Sequence, residues 1–159
     1  MKKTIFGIIA ILVLATLVAC GQKEKHTQIA NPWTNHETLG EACCAVNFNM
    51  TFPEHIEGYG DPTFRTMNDE LIEIIFPADN DEICIRKAIG GEAGNDISGD
   101  YSKYSEHTAV HNDKIDGEVA GNDGIAYKAT WQNDDFSYSI TAQSGIEMGT
   151  MYGLIDATR

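Results

Sequence analysis

Hydrophobic and polar residues alternate along the segment 70–76 and again along the segment 82–88. The residues between these segments, 77–81, are Pro, Ala, Asp, Asn and Asp, which are typical of a turn. Alternation with a period of two is the pattern of a strand with one buried face. The pattern therefore predicts a β-hairpin, and its apolar face consists of Ile72, Ile74, Phe76, Ile83 and Ile85.

A second hairpin is predicted between residues 125–131 and 136–140, after the turn sequence Asn122-Asp123-Gly124. Its two segments are joined by the polar residues 132–135. One face of this hairpin is rich in aromatic residues, which we interpret as core. These residues are Tyr127, Trp131, Phe136 and Tyr138.

Two helices are predicted from capping-box sequences, in which Ser or Thr is followed three residues later by Glu. Thr34-Asn35-His36-Glu37 precedes apolar residues at helical spacing and predicts a helix that ends near Asn47. Ser144-Gly145-Ile146-Glu147 predicts a final helix that ends near Ala157.

The remaining chain shows weaker patterns. It predicts a strand over Tyr59–Met67, a loop over residues 90–96, and one short strand around Val110 with turns at 112–113 and 116–117. The predicted fold class is α+β: a single antiparallel sheet, a meander with two hairpins, covered by an N-terminal and a C-terminal helix.

The first 19 residues have the pattern of a secretory signal, with Lys2 and Lys3 before an apolar stretch from Ile5 to Ala19. The sequence Leu17-Val18-Ala19-Cys20 resembles the lipobox of bacterial lipoproteins. This resemblance implies cleavage before Cys20 and attachment of diacylglycerol, with palmitate among the acyl chains, to its thiol. We therefore predict a signal peptide over residues 1–19, a lipidated Cys20 with a flexible tether over 20–30, and one globular domain over 31–159.

The chain is acidic, with 24 Asp and Glu against 11 Lys and Arg and a net charge of −13. Loss of Lys2 and Lys3 with the signal would leave 140 residues with a net charge of −15. Proteins that bind nucleic acid draw most of their affinity from clustered Lys and Arg, so we predict no nucleic-acid partner. A basic patch that docks on anionic lipid is excluded for the same reason.

Several short motifs recur in the order seen in small uncharacterised lipoproteins of Gram-positive bacteria, and the chain resembles that family over most of residues 31–157. The motifs are Asn31-Pro32-Trp33, a helix with Thr38, Leu39, Glu41 and Ala42, Pro53, Ile85-Arg86-Lys87, Asp96–Tyr101, and the Trp131–Tyr138 hairpin. The resemblance implies a lipid-anchored, single-domain protein and carries over no catalytic residues.

Two patterns suggest metal ligands, and both are incomplete. Asp96, Ser98 and Asp100 start like a calcium loop, but Tyr101 stands where such a loop needs Gly. His107 and His111 are four residues apart, which suits a metal clamp only on a helix. We interpret the first as a polar loop and the second as surface histidines, and we predict no metal site and no cofactor.

Three cysteines remain after Cys20. Cys43 and Cys44 lie on the first predicted helix and Cys84 lies on a strand. An odd number outside the cytoplasm allows at most one intramolecular bridge. A disulfide from Cys43 or Cys44 to Cys84 would join the helix to the sheet, and three buried free thiols are the equal alternative.

No catalytic constellation is recognisable, so the sequence predicts no catalytic residues and favours a protein that is not an enzyme. The predicted function is that of a lipid-anchored protein on the extracytoplasmic face of the cell membrane, which binds an unknown protein or small-molecule partner. Two alternatives stay open. One is an envelope enzyme with dispersed catalytic residues, and the other is a carrier or chaperone-like lipoprotein that holds an apolar client.

Overall fold

Eight strands form one antiparallel sheet in the computed structural model, which describes residues 31–90, 96–111 and 115–159. The strands are β1 (Trp33–His36), β2 (Thr63–Met67), β3 (Leu71–Pro77), β4 (Glu82–Ile89), β5 (Glu106–His111), β6 (Asp116–Asn122), β7 (Ile125–Asn133) and β8 (Phe136–Glu147). The helices of this part of the chain are α1 (Leu39–Val46) and α2 (Met148–Ala157). The order across the sheet is β1-β2-β3-β4-β8-β7-β6-β5. A single antiparallel sheet with two helices, in an α+β chain that is mostly sheet, is therefore confirmed.

Both predicted hairpins are confirmed. Strands β3 and β4 pair with Ile74 opposite Ile85, and β7 and β8 pair with Trp131 opposite Tyr138. The turn between β6 and β7 contains Asp123 at a φ of 52° and Gly124 at 77°. Positive φ at both central residues is the geometry that two-residue hairpins favour, and Asp-Gly adopts it readily.

One face of the sheet, which we call the core face, carries the main hydrophobic cluster. Its fully buried side chains come from strands in the middle of the sheet, and they include Ile72, Ile74, Phe76, Ile83, Ile85 and Ile140. The buried residues of the two helices belong to the same cluster, and they are Ala42, Val46, Met151, Leu154 and Ile155. Burial of this apolar area is the main stabilising contribution to the fold.

The opposite face, which we call the polar face, carries charged and hydroxyl side chains in its central strands. Arg65 pairs with Glu73, Glu73 with Arg86, and Arg86 with Ser139 in successive strands. Glu73 and Ser139 are buried even though they do not belong to the hydrophobic cluster. The polar face is therefore partly covered, and its contacts are described below.

Both predicted capping boxes are wrong. Residues 34–36 lie in β1 and pair with β2. The helix is instead capped by Thr38, the first residue of the next Thr-x-x-Glu sequence, whose Oγ1 accepts a hydrogen bond from Glu41 N. The helix then ends at Val46, with Asn47 as its C-cap, in agreement with the predicted end near Asn47. At the C-terminus β8 continues to Glu147, and no side chain caps α2.

The segment predicted to hold one short strand around Val110 forms two. Residues 106–111 are β5, and Asp116 and Gly117 begin β6 instead of forming a turn. The register of β7 also shifts between Ala126 and Lys128. Because of this bulge, Tyr127 leaves the predicted aromatic face and stacks on Tyr104.

The predicted signal, the lipidated Cys20 and the tether lie outside the described residues. Residues Pro32–Arg159 form one compact unit. No helix in the described part of the chain is long and apolar enough to span a membrane.

Candidate functional site

Three charged residues lie side by side on the polar face, and we call them the arginine row: Arg65 on β2, Glu73 on β3 and Arg86 on β4. Antiparallel register brings them together because each is directly opposite the next. Arg65 Nε donates to Glu73 Oε1, and Arg86 Nε donates to Oε2 at 2.6 Å. The Glu73 side chain is 0% exposed, so two cations hold one fully buried anion.

Burial alone raises the pKa of the Glu73 carboxyl, but hydrogen bonds from Arg65, Cys84 and Arg86 outweigh it and hold this pKa below its ordinary 4.5. Cys84 Sγ donates to Glu73 Oε2 at 3.0 Å. Burial raises the pKa of the Cys84 thiol, and the charge of Glu73 raises it further, so the thiol stays protonated. Glu73 is therefore ionised and Cys84 is neutral, which argues against a thiolate nucleophile at this position.

Trp33 on β1 lies over this row. Its ring centroid is 4.3 Å from Arg65 Cζ and 5.6 Å from Arg86 Cζ. A guanidinium over an indole face gains cation–π stabilisation. The arginine row and the Trp33 ring thus connect four neighbouring strands, β1 to β4.

Arg86 also fastens a long loop, residues 96–104, to the polar face. Its Nη1 donates to the carbonyl oxygen of Ile97 at 2.8 Å and to that of Ser98. Gly99 follows at a φ of +70°, and a Cβ there would lie 2.7 Å from Arg86 Nη1. Glycine is thus required both by the backbone conformation and by the close approach of the guanidinium.

Asp96, Ser98 and Asp100, whose spacing resembles the start of a calcium loop, accept hydrogen bonds from the backbone of loop 96–104. Asp96 Oδ1 accepts from Ser98 N at 2.8 Å, Ser98 Oγ from Asp100 N at 3.1 Å, and Asp100 Oδ1 from Ser102 N at 2.9 Å. Lys128 Nζ binds the other oxygen of Asp96 at 2.9 Å. These oxygens cap turns in the way that Asx and Ser turns do. No group of three or more metal-ligating side chains occurs among the described residues.

The loop ends in aromatic residues with contrasting surroundings. The Tyr104 hydroxyl donates to Asp100 Oδ2, and its ring stacks on Tyr127 with centroids 5.5 Å apart. Burial and the Asp100 carboxylate raise the pKa of Tyr104 to about 12. Tyr101, in contrast, is 90% exposed. The loop therefore presents one large aromatic side chain to solvent from a backbone that is fastened on both sides.

On the core face, Lys87 is buried among aromatic rings. Its Nζ donates to Asn49 O at 2.6 Å and lies 4.2 Å from the Phe136 centroid and 5.3 Å from that of Tyr138. Burial lowers the pKa of Lys87 below its ordinary 10.5. The carbonyl and the ring faces satisfy the ammonium, so we interpret Lys87 as a structural cation.

Two open clefts lie away from the arginine row. A cleft of about 660 Å³ is bordered by Gly58, Gly60, residues 77–81 and Ser144. Next to it, the Tyr59 hydroxyl donates to Asp81 Oδ2 at 2.6 Å. A second, of about 630 Å³, is bordered by residues of α1 and the segment 47–50. Neither brings together an acid and a base in the described residues that line it.

The three cysteines of the described residues carry free thiols, with Cys44 exposed, Cys43 partly exposed and Cys84 buried. The predicted bridge from Cys43 or Cys44 to Cys84 is therefore not formed in the structure. The physical reason is the pleat of β4, which directs Cys84 to Glu73 on the polar face, whereas the buried residues of α1 join the cluster of the core face.

The two histidines of β5 do not form a clamp with each other. His107 Nδ1 lies 3.3 Å from Glu118 Oε1, and His111 Nδ1 lies 3.4 Å from Asp116 Oδ1. Four residues of a strand span roughly 13 Å, so one metal ion cannot reach both rings. Each imidazole instead faces a carboxylate on β6.

The arginine row was not predicted from the sequence. The available signal was the single charge in the otherwise apolar strand Leu71–Pro77, at Glu73, together with Arg86 among the apolar residues of Glu82–Ile89. Charged residues are rarely buried unless they are paired, so each of these positions indicates a nearby side chain of opposite charge. The local sequence does not show which charges meet.

Comparison with protein-family models, with curated proteins and with solved structures found no match to this chain.

Proposed function

We propose that this chain is a lipoprotein, held by Cys20 on the extracytoplasmic face of the cell membrane, whose domain binds a partner through loop 96–104. The observation that carries the binding role is Tyr101, which is 90% exposed on a loop fastened by Arg86 and Lys128. Binding residues concentrate on loops that a rigid scaffold positions. Tyrosine is among the side chains that dominate binding energies at protein interfaces.

The arrangement of the helices is part of this proposal. We propose that α1 and α2 cover the core face, since their buried residues belong to its hydrophobic cluster. The polar face and loop 96–104 would then be the side that a partner meets. The resemblance of Leu17–Cys20 to a lipobox supports the anchor, and the strongly acidic composition supports attachment by lipid over attachment by charge.

The anchor is tested by replacing Cys20 with alanine. We expect the variant to lose incorporation of labelled palmitate and to remain an uncleaved precursor, because both steps need the Cys20 thiol. Cys44→Ala is the matched control, since Cys44 is exposed and its loss should leave lipid labelling unchanged. Lipid label and membrane partition that persist in Cys20→Ala would contradict the anchor.

The binding role is tested by photo-crosslinking on intact cells that produce the protein. Benzoylphenylalanine in place of Tyr101 should give a discrete crosslinked species, and the same residue in place of exposed Asp156 on α2 should not. With a purified partner, Tyr101→Ala should weaken binding by about 2 kcal/mol, or about thirtyfold.

A further variant connects binding to the way the loop is held. Gly99→Ala should release the loop from Arg86 and lower the crosslinking yield at position 101, while the circular dichroism of the sheet is retained. Equal crosslinking at positions 101 and 156, or none at either, would contradict the proposal.

A further inference from the structure

Strand β5 forms one edge of the sheet and has few of the features that protect edges. It pairs with β6 along six residues without a register shift, and in the described part of the chain no strand pairs with its other side. Its sequence, Glu-His-Thr-Ala-Val-His, contains neither Lys nor Pro. Natural sheets blunt their edges with Lys, Pro, bulges or short strands, and the other edge strand, β1, has only four residues. The backbone groups on the open side of β5 are therefore a template for one more strand.

The end of the sheet at this edge is acidic. Strands β5 and β6 together contain Glu106, Asp116 and Glu118 and no Lys or Arg. The side chain of Glu118 is 49% exposed and that of Asp116 is 85% exposed, so both carboxylates are open to solvent. Complementary charge steers association and suppresses partners of the wrong sign. An added strand that carries positive charge is therefore favoured at this edge.

Ala109 leaves room for a cation at the middle of the edge. It is directly opposite Glu118 in the register of β5 with β6, so the two side chains lie on the same face of the sheet. A residue opposite Ala109 on an added strand would lie two strand spacings, about 9.5 Å, from Glu118. The side chain of Ala109 ends at Cβ, so the long stem of an Arg or Lys can pass over it and reach the Glu118 carboxylate.

The other face of β5 favours apolar residues on the same added strand. Val110 packs against the hydrophobic cluster, and Thr108 is opposite Val119, which is buried in that cluster. Successive side chains of a strand point to opposite faces. Opposite residues on one face stabilise a sheet when they pack together or carry opposite charges. A strand that fits both faces therefore alternates basic residues with β-branched apolar residues.

We infer that β5 is a docking edge for an extended basic segment of another protein, which adds a ninth strand and alternates Arg or Lys with β-branched apolar residues. In this mode of recognition backbone hydrogen bonds supply affinity and alternate side chains supply specificity. Pairing of β5 with a second copy would bring together two identical acidic edges on chains of net charge −13, so the observations favour a basic partner. The inference does not depend on the partner proposed for loop 96–104.

The test measures the fluorescence anisotropy of a labelled ten-residue peptide in which Arg alternates with Val, mixed with the full chain in an uncharged detergent. We expect saturable binding that weakens as salt is raised. A peptide that alternates Arg with Pro is the matched control, because it has the same charge and lacks half of the backbone donors. It should not bind, and neither should a peptide that alternates Glu with Val. Equal binding of the Arg-Pro peptide would overturn the inference, because charge alone would then explain the attraction.

Two substitutions in the full chain locate the site. Glu118→Gln should weaken binding of the Arg-Val peptide about threefold to fivefold, the usual effect of one cross-strand charge pair. Glu57→Gln removes one exposed carboxylate elsewhere and should leave binding unchanged. Ala109→Lys should weaken binding by at least about tenfold, because its ammonium pairs with Glu118 and repels the incoming Arg. Equal effects of Glu118→Gln and Glu57→Gln would contradict a site at β5.

Hydrogen exchange shows whether the bound peptide forms a strand. Alternate amides of an edge strand point away from its neighbour, so those of β5 should become protected only in the complex. The amides of β1, at the other edge, should exchange at the same rate with and without the peptide. Three results would each overturn the inference: no binding of the Arg-Val peptide, binding without protection in residues 106–111, or a dimer that already protects β5 without the peptide.

Discussion

Replacing Glu73 with alanine is expected to lower the free energy of unfolding by about 3–5 kcal/mol, the usual result of removing one partner from a buried ion pair. Glu73 is the acceptor for Arg65, Arg86 and the Cys84 thiol. Its loss would leave two guanidinium groups close together on neighbouring strands. Arginine does not lose its proton in proteins, so the repulsion cannot be relieved by deprotonation.

Urea unfolding of the parent chain and the variant measures this effect. Glu70→Ala is the matched control, because it is the same change at an exposed position just before β3, and it should stay within about 0.5 kcal/mol of the parent. Equal losses in both variants would show that the arginine row contributes nothing particular to stability.

The same carboxylate makes stability depend on pH, and Glu73→Gln isolates this dependence. The folded-state pKa of Glu73 lies below 4.5, so the unfolded chain binds the proton first. The stabilisation from Glu73 is fully present above the ordinary pKa of 4.5, which the carboxyl has in the unfolded chain. It is lost as the pH falls through the lower folded-state pKa. The stability gap between the parent and Glu73→Gln should therefore narrow under acid conditions, and a gap that is constant down to pH 2–3 would contradict this.

Replacing Gly121 with alanine is expected to destabilise the domain by at least about 2 kcal/mol. Gly121 lies at the register shift of β6, and a Cβ there would be 2.0 Å from Ile125 O and 2.9 Å from Ile125 C. Both are backbone atoms at the start of β7, so the hairpin itself would have to move. Thermal unfolding should show a lower Tm than that of the parent chain.

Gly153→Ala is the matched control, with the opposite expected sign. Gly153 lies inside α2, and a Cβ there meets nothing within 4 Å. Alanine in a helix interior is favoured over glycine by about 0.5–1 kcal/mol, so this variant should be slightly more stable than the parent. If both substitutions had the same effect, the close approach at Gly121 would not be the cause.

The limits of local sequence are clearest at the N-terminus of the domain. Thr34–Glu37 and Thr38–Glu41 both have the Thr-x-x-Glu form, one directly after the other. Only the second caps a helix, because the first pairs with β2, with Thr34 opposite Thr66 and His36 opposite Phe64. Pairing with a strand about thirty residues away therefore decides which of the two equal local sequences begins the helix.

The two histidines of β5 illustrate the same limit for a candidate site. Their spacing suits a metal clamp only on a helix, so the sequence predicts surface histidines, and β5 separates the two rings. Their carboxylate partners, Glu118 and Asp116, became visible only through the register of β5 with β6. Spacing along the chain therefore could not identify either histidine–carboxylate pair.

The sequence by itself determined the two hairpins and the C-terminal ends of both helices, and it predicts an anchor at Cys20. These features depend on alternation, turn residues and short motifs, which are local in the chain. The tertiary structure alone decided that Glu73 lies between Arg65 and Arg86 and that Arg86 holds loop 96–104. These contacts depend on strand register and on a loop crossing the polar face, and register is set by burial of the whole core face, which no short segment contains.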